Sequence, residues 1–194
     1  LPLNNVGVMA LDYTSQEGIA TSIGHAPIAA LIDPKAGSRV AITEALTNII
    51  WAPLKEGLQS VSLSANWMWP CKNEGEDARL YKAVEAISEF AIDLGINVPT
   101  GKDSLFMKQK YPEGDVVSPG TVIVTAAGNC NAISKVVEPV FKLNAGPIYY
   151  INISQDAYKL GGSALGQVLN KIGTDTPNVQ SAAYVKTVFN TLQE

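Results

Sequence analysis

The sequence predicts an α+β fold, a small antiparallel-rich mixed sheet backed by two long helices and followed by the start of an α/β unit. Three observations carry this reading. Residues 33–54 and 74–94 repeat apolar side chains at helical spacing. Residues 59–69 and 116–128 show the alternation or the short apolar run of strands. After the turn Asn144-Ala145-Gly146-Pro147, a strand-like run over 147–154 and a glycine-rich helix entry begin what looks like a second unit.

Composition narrows the function classes. The chain has 194 residues, 46% of them hydrophobic, and a mean hydropathy of +0.10, enough apolar material for a packed core. A net charge of −4 argues against a nucleic-acid groove and against an anionic membrane surface. No apolar run is long enough to span a bilayer, and no basic segment precedes an apolar one at the start. The expectation is a cytoplasmic protein with neither nucleic acid nor membrane among its partners. The two cysteines, Cys71 and Cys130, supply neither a disulfide framework nor ligand spacing, and read as inert thiols. Asn152-Ile153-Ser154 matches a glycosylation sequon but sits inside an apolar run, and is discounted.

Residues 1–13 read as an extended lead-in and then a strand from about Val6. They begin without an initiator Met, so an excised piece of a longer chain is expected. Asn4 and Asn5, just ahead of that strand, suit turn chemistry or a ligand role. Residues 21–27 read as a loop or short strand. They hold the sole histidine, His25, which has no nucleophile arranged around it and reads as structural.

The helix over residues 33–54 opens with Asp33 at the N-cap and Pro34 at the first helical position, and Pro53 stops it. Ile42, Ala45, Leu46, Ile49 and Ile50 form its apolar stripe. At roughly 100° per residue, Glu44 and Asn48 fall nearly opposite that stripe, with Gly37 and Ala41 on the same row. Small neighbours leave room in front of them. A carboxylate and an amide oxygen at i and i+4 are hard ligands that suit magnesium. A solvated face has the same spacing, but usually carries more Lys and Glu than this one.

In residues 59–69, Val61, Leu63 and Ala65 point one way and serines the other. Trp67 and Trp69, before Pro70, read as packing. The second helix, over 74–94, buries Leu80, Ala83, Val84, Ile87 and Ala91. Its early acids suit the helix dipole, and Gly95 ends it. A short strand then leads into a turn, Thr100-Gly101-Lys102-Asp103-Ser104. It fails the Walker A pattern, because Gly95 to Gly101 holds one residue too many and Asp103 stands where Ser or Thr should follow Lys102. Such a turn either binds a phosphate through backbone N–H groups and a lysine or is a charged hairpin.

Residues 116–128 form a strand entered through Pro119-Gly120. Residues 129–146 connect to the second unit, a strand over 147–154, a helix from Leu160-Gly161-Gly162-Ser163 to about Ile172, and a final helix over 182–193. One strand and two helices are too little for an independent domain. The expected organisation is a module over residues 1–146 and a truncated module over 147–194.

Taken together, DPKAGSRVAITEALTNI, LSANWMW, GEDARLYKAV, VPTGKDSLFMK, SPGTVIVTAAG and LGGSAL resemble phosphoribosylformylglycinamidine synthase in its long single-chain form. The match runs over nearly the whole chain and looks like the second of two internal repeats, each similar to aminoimidazole ribonucleotide synthetase. The resemblance implies an N-terminal synthetase-like module, half of a barrel, then a truncated C-terminal one. It implies an ATP-dependent ligase of purine biosynthesis that joins glutamine-derived ammonia to formylglycinamide ribonucleotide. Mg2+ and ATP or ADP would be cofactors, and a phosphoribosyl substrate and a glutaminase domain elsewhere in the parent chain would be partners.

Carried over by position, the resemblance puts magnesium on Glu44 and Asn48. Asn5 stands where the family has an aspartate, so the site loses one charge. Asn4, Lys102, Asp103 and Ser104 are the candidates for nucleotide or substrate contact. The role of the Gly101–Ser104 turn divides between phosphate binding and structural support. The second repeat favours an auxiliary or structural nucleotide site, and no catalytic residue is assigned. In the family the sheet closes a barrel with its counterpart, so this piece is expected to expose a sheet face or edge, for which self-association as a homodimer is a natural outlet. Two rival readings stand beside it. One is a selenophosphate synthetase or thiamine-phosphate kinase relative, which would lack the NWMW and GKDS segments. The other is a non-catalytic scaffold.

Overall fold

The computed structural model describes residues 5–194. Asn4, a candidate above, lies outside the described residues. The strands are β1 (Val6–Ala10), β2 (Gly18–His25), β3 (Val61–Met68), β4 (Asn97–Ser104), β5 (Lys108–Tyr111), β6 (Gly114–Val117) and β7 (Thr121–Cys130). The α-helices are α1 (Pro27–Ile32), α2 (Pro34–Ile49), α3 (Glu76–Leu94), α4 (Ala164–Val168) and α5 (Ala182–Gln193). Five strands make one mixed sheet in the order β1-β2-β7-β3-β4, with β5 and β6 in a separate hairpin. Among the described residues, β3–β4 is the one parallel pair and the other pairs are antiparallel. The expected α+β architecture, a mixed sheet backed by helices, is the one observed.

Alternation decides which face is covered. Val61, Leu63 and Ala65 are buried, and across the β3–β7 ladder Leu63 sits opposite Ala126 and Ala65 opposite Val124, both buried too. This face packs under α2, which in turn packs against α3. On the other face, Ser62, Ser64 and Asn66 are half-buried and Thr21 and Ile23 exposed.

The Asp33 carboxylate caps α2 by accepting from the N–H groups of Lys35 (2.8 Å) and Ala36 (3.2 Å). The helix is more enclosed than a single apolar stripe requires. Gly37, Ser38, Ala41 and Thr43 are buried along with Ile42, Ala45, Leu46 and Ile49. The small residues read as open room are in fact filled by protein: a side chain on Gly37 would strike Ala30 of α1, and one on Gly24 of β2 would strike the backbone of Ala41 and Ala45.

α3 begins at Gly75 (φ 77°) with Glu76 and Asp77 in its first turn, and ends at Gly95 (φ 75°), whose N–H donates to Ala91 and Ile92. Its buried side is Ala83, Ala86, Ile87, Phe90, Ala91 and Leu94. Of the residues expected inside, Val84 is 40% exposed and Leu80 half-buried, while Ala86, Phe90 and Leu94, not foreseen, are buried.

Four local expectations are corrected. His25 ends a full strand, β2, and is followed by α1, a helix not foreseen. The segment Thr100–Ser104 is not a turn but the second half of β4, in parallel register with β3. Gly101 serves that ladder, since a side chain there would meet the Ala65 carbonyl. Residues 147–154 form no strand. The helix expected to reach Ile172 stops at Val168, where Asn170 takes φ 50° and Lys171 N–H turns back to the Gly166 carbonyl.

α5 belongs to the same core as the sheet, with Val185 and Phe189 fully buried. Its last turn clasps the chain after α2: Gln193 Nε2 donates to the carbonyls of Ile50 (2.5 Å) and Ala52 (3.0 Å), and Oε1 accepts from Leu54 N–H (2.9 Å). No helix among the described residues is long and apolar enough to cross a membrane.

Candidate functional site

Among the described residues, the β1–β2 ladder runs from Ala10–Gly18 to Val6–Ser22, and Ile23, Gly24 and His25 continue along β7. Asn48 Nδ2 of α2 donates to the Ile23 carbonyl at 2.9 Å, and the His25 N–H donates to Glu44 Oε2 at 2.7 Å. Ser22 Oγ donates to the Ala45 carbonyl at 2.7 Å. Two side chains one helical turn apart thus hydrogen-bond the backbone at the end of β2 and tie it to α2.

Each of these residues keeps one oxygen free of protein partners among the described residues, Oε1 of Glu44 and Oδ1 of Asn48. Both residues line a cavity of about 520 Å³, together with Asn5, Thr21, His25 and Thr125. The structure therefore brings together Glu44, Asn48 and Asn5, the three positions predicted as magnesium ligands. The donor set is all oxygen and fits a hard divalent cation. It carries one negative charge, and among the described residues no group of three or more His, Cys, Asp or Glu gathers anywhere.

Lys102, Asp103 and Ser104 are not part of this cavity. They lie on β4, at the opposite edge of the five-stranded sheet from β1. Lys102 Nζ donates to the Asp103 carbonyl (3.0 Å) and to Ser104 Oγ (2.7 Å), so the lysine caps its own strand end. Both cysteine thiols are pushed up, in each case chiefly by burial, consistent with inert thiols.

A second cavity, of about 530 Å³, shares Asn5 and Asn48 with the first and is walled by Trp51 and residues 137–141. Sequence reasoning missed it. The nearest signal was proximity in sequence: Trp51 follows Asn48 by three residues and lies just past the end of α2. Residues 137–141 carried none, because their placement depends on tertiary contacts.

The model of the FGAR-AT PurM_N-like domain family matches residues 1–129. This chain belongs to that family. The PurM_N-like chain is 41% identical over 196 residues to the "Probable phosphoribosylformylglycinamidine synthase, chloroplastic/mitochondrial" of Arabidopsis thaliana, covering 100% of itself and 14% of that protein. It is 36% identical over 194 residues to the phosphoribosylformylglycinamidine synthase of Homo sapiens, covering 99% of itself and 14% of the relative. It thus spans about one seventh of the curated relatives it matches. Among solved structures, phosphoribosylformylglycinamidine synthase II of Thermotoga maritima shares the fold, with a TM-score of 0.54 at 20% identity over 70% of this chain and 21% of that one.

Proposed function

We propose that this PurM_N-like domain is the magnesium–nucleotide-holding part of an ATP-dependent synthase that makes formylglycinamidine ribonucleotide from formylglycinamide ribonucleotide and glutamine-derived ammonia. The observation that carries the reading is the convergence of Glu44, Asn48 and Asn5 on one cavity where β1 begins. The names of the relatives support the reaction. T. maritima PurL has been solved with ADP and with ATP, which supports a nucleotide as ligand. Glu44 Oε1, Asn48 Oδ1 and Asn5 would hold Mg2+, which would offset the charge of nucleotide phosphates. With a single carboxylate, the site suits an auxiliary or structural nucleotide better than one that turns over.

The remaining assignments follow from this reading. Lys102, Asp103 and Ser104, on the far sheet edge, would meet a phosphoribosyl substrate or a neighbouring repeat, not the nucleotide at Glu44. Residues 1–146 would form the synthetase-like module and 147–194 would open the next, with α5 returning to the core of the first. The open sheet face would be covered by the counterpart repeat of the parent chain, or by a second copy when the piece stands alone. A glutaminase domain of the parent chain would supply ammonia. The compartment is the cytoplasm, with an organelle as the alternative that the Arabidopsis name raises.

A second reading, a non-catalytic scaffold, is favoured by one observation: Glu44 and Asn48 already hold β2 to α2. Calorimetric titration of ADP with Mg2+ into the wild type and Glu44→Ala separates the two. Saturable heat that disappears in the variant supports the nucleotide site; no heat in either protein supports the scaffold.

A further inference from the structure

We propose that the cleft between the starts of α2 and α3 and the segment 159–178 binds a small phosphoryl anion, either free phosphate or a phosphate monoester. The inference is independent of the magnesium–nucleotide reading. The cleft encloses about 530 Å³ and shares no lining residue with either cavity above. Lys35, on its wall, precedes Glu44 by nine residues, half a revolution round α2 at roughly 100° per residue. The two residues therefore stand on opposite sides of the helix.

Four cations from three chain segments line the cleft: Lys35 of α2, Arg79 and Lys82 of α3, and Lys159. Two carboxylates, Asp33 and Asp175, stand against them. Asp33 is engaged in capping α2. Glu85 and Glu76, which pair with Lys35 (2.6 Å) and Arg79 (3.3 Å), lie outside the lining. Lys159 meets Asp156 at 3.5 Å and Asp175 at 3.3 Å, both longer than a charge-assisted bond of about 2.7–2.9 Å. Lys82 has no ion pair among the described residues. An ammonium carries three N–H donors and no acceptor, so Lys35, Lys82 and Lys159 keep donors for an oxyanion.

Thr176 lines the same cleft. It is 4% exposed, and its Oγ1 has no hydrogen-bond partner in the protein. A buried hydroxyl left without a partner is costly and rare in folded proteins. A phosphoryl oxygen in the cleft would accept from it and from the lysines together. The volume falls in the range of roughly 300–1,000 Å³ for small-ligand sites, which leaves room for an ester group beside the phosphate. Such an anion would tie the segment 159–178 to the starts of α2 and α3.

The test follows backbone amide NMR shifts while inorganic phosphate, glycerol 3-phosphate or sodium chloride of matched ionic strength is titrated into the wild type, Lys82→Ala and Thr176→Val. Lys82 makes no ion pair and valine keeps the shape of threonine, and the dispersion of each spectrum reports that the variant is folded. Expected are saturable shifts at Lys35 and at residues 174–178 with at least one phosphate probe, and none with chloride. Lys82→Ala should bind roughly tenfold more weakly, the scale of one lost bond to a charged group, and Thr176→Val should also bind more weakly. Equal affinity for the two probes assigns recognition to the phosphoryl group alone, and tighter binding of glycerol 3-phosphate assigns the monoester as the source; either supports the site. No saturable shift with either phosphate overturns it, as does chloride reproducing the shifts. Binding undiminished in Lys82→Ala or in Thr176→Val overturns it too, since the anion would then sit elsewhere. None of these outcomes bears on the binding of ADP at Glu44.

Discussion

The backbone N–H of His25 donates to Oε2 of Glu44 across 2.7 Å, joining the end of β2 to the middle of α2. One carboxylate therefore has two possible uses: Oε2 ties β2 to α2, and Oε1, on a side chain that lines a cavity, has no partner among the described residues. The two can be separated by substitution. Glu44→Gln keeps an acceptor for His25 and removes the charge, whereas Glu44→Ala removes both. In urea unfolding, Glu44→Ala should lose about 1 kcal/mol, the ordinary net worth of one such bond, and Glu44→Gln much less. Equal losses in the two variants would mean that charge, not the hydrogen bond, holds β2 to α2.

Asn5 offers a gain rather than a loss. It lines both cavities at the position where an aspartate would add a second charge to the oxygen set. Cation affinity in oxygen sites rises with ligand charge, so Asn5→Asp should tighten Mg2+-dependent ADP binding by roughly tenfold. Calorimetry reads this directly, and an unchanged or weaker affinity would remove Asn5 from the ligand set.

Gly24 sets how closely β2 approaches α2. A methyl group there would run into the backbone of Ala41 and Ala45 and come within 3.0 Å of Glu44 Cβ. Backbone cannot step aside as a flexible side chain does, so Gly24→Ala should cost about 1–3 kcal/mol and displace Glu44 from His25. A urea midpoint equal to that of the wild type would show that the contact has slack.

Asp12 should report the order of the β1–β2 connection. Its carboxylate accepts from the N–H groups of Ser15 (2.6 Å) and Thr14 (2.8 Å). Those bonds, Ser15 foremost, hold its pKa down from the ordinary 3.8 to about 2. A depressed acid favours the ordered turn at pH above its unfolded value, and the contribution fades as pH falls through the folded one. Carboxyl NMR titration of Asp12 should thus find a midpoint near 2, with amide exchange at Thr14 and Ser15 quickening below it. A midpoint at 3.8 would mean that the turn is open in solution.

Much of this was legible in the sequence where local chemistry and burial agree. Asp33-Pro34 starts α2, Gly95 ends α3, and the alternation of Val61, Leu63 and Ala65 orients β3 correctly. The pairing of Glu44 with Asn48 on one helical row also survived. The failures lie where tertiary contact decides. Gly101 and Lys102 look like turn residues, but glycine is there for the close approach of β3, and the strand follows from that pairing. The run over residues 147–154 has strand-like content but pairs with no strand, and remains irregular. The row of small residues on α2 looked like space for a ligand, and the space belongs to Gly24 and Ala30. Trp51 lies just past the end of α2, yet its cavity forms only when residues 137–141 fold back across it.

The most direct test is the dependence of ADP affinity on Mg2+ in the wild type and in Glu44→Gln, the variant that keeps the bond to His25. A cation bridging Glu44, Asn48 and the phosphates predicts that Mg2+ tightens ADP binding in the wild type and has no such effect in Glu44→Gln. Equal tightening in both proteins would contradict it, as would wild-type binding indifferent to Mg2+.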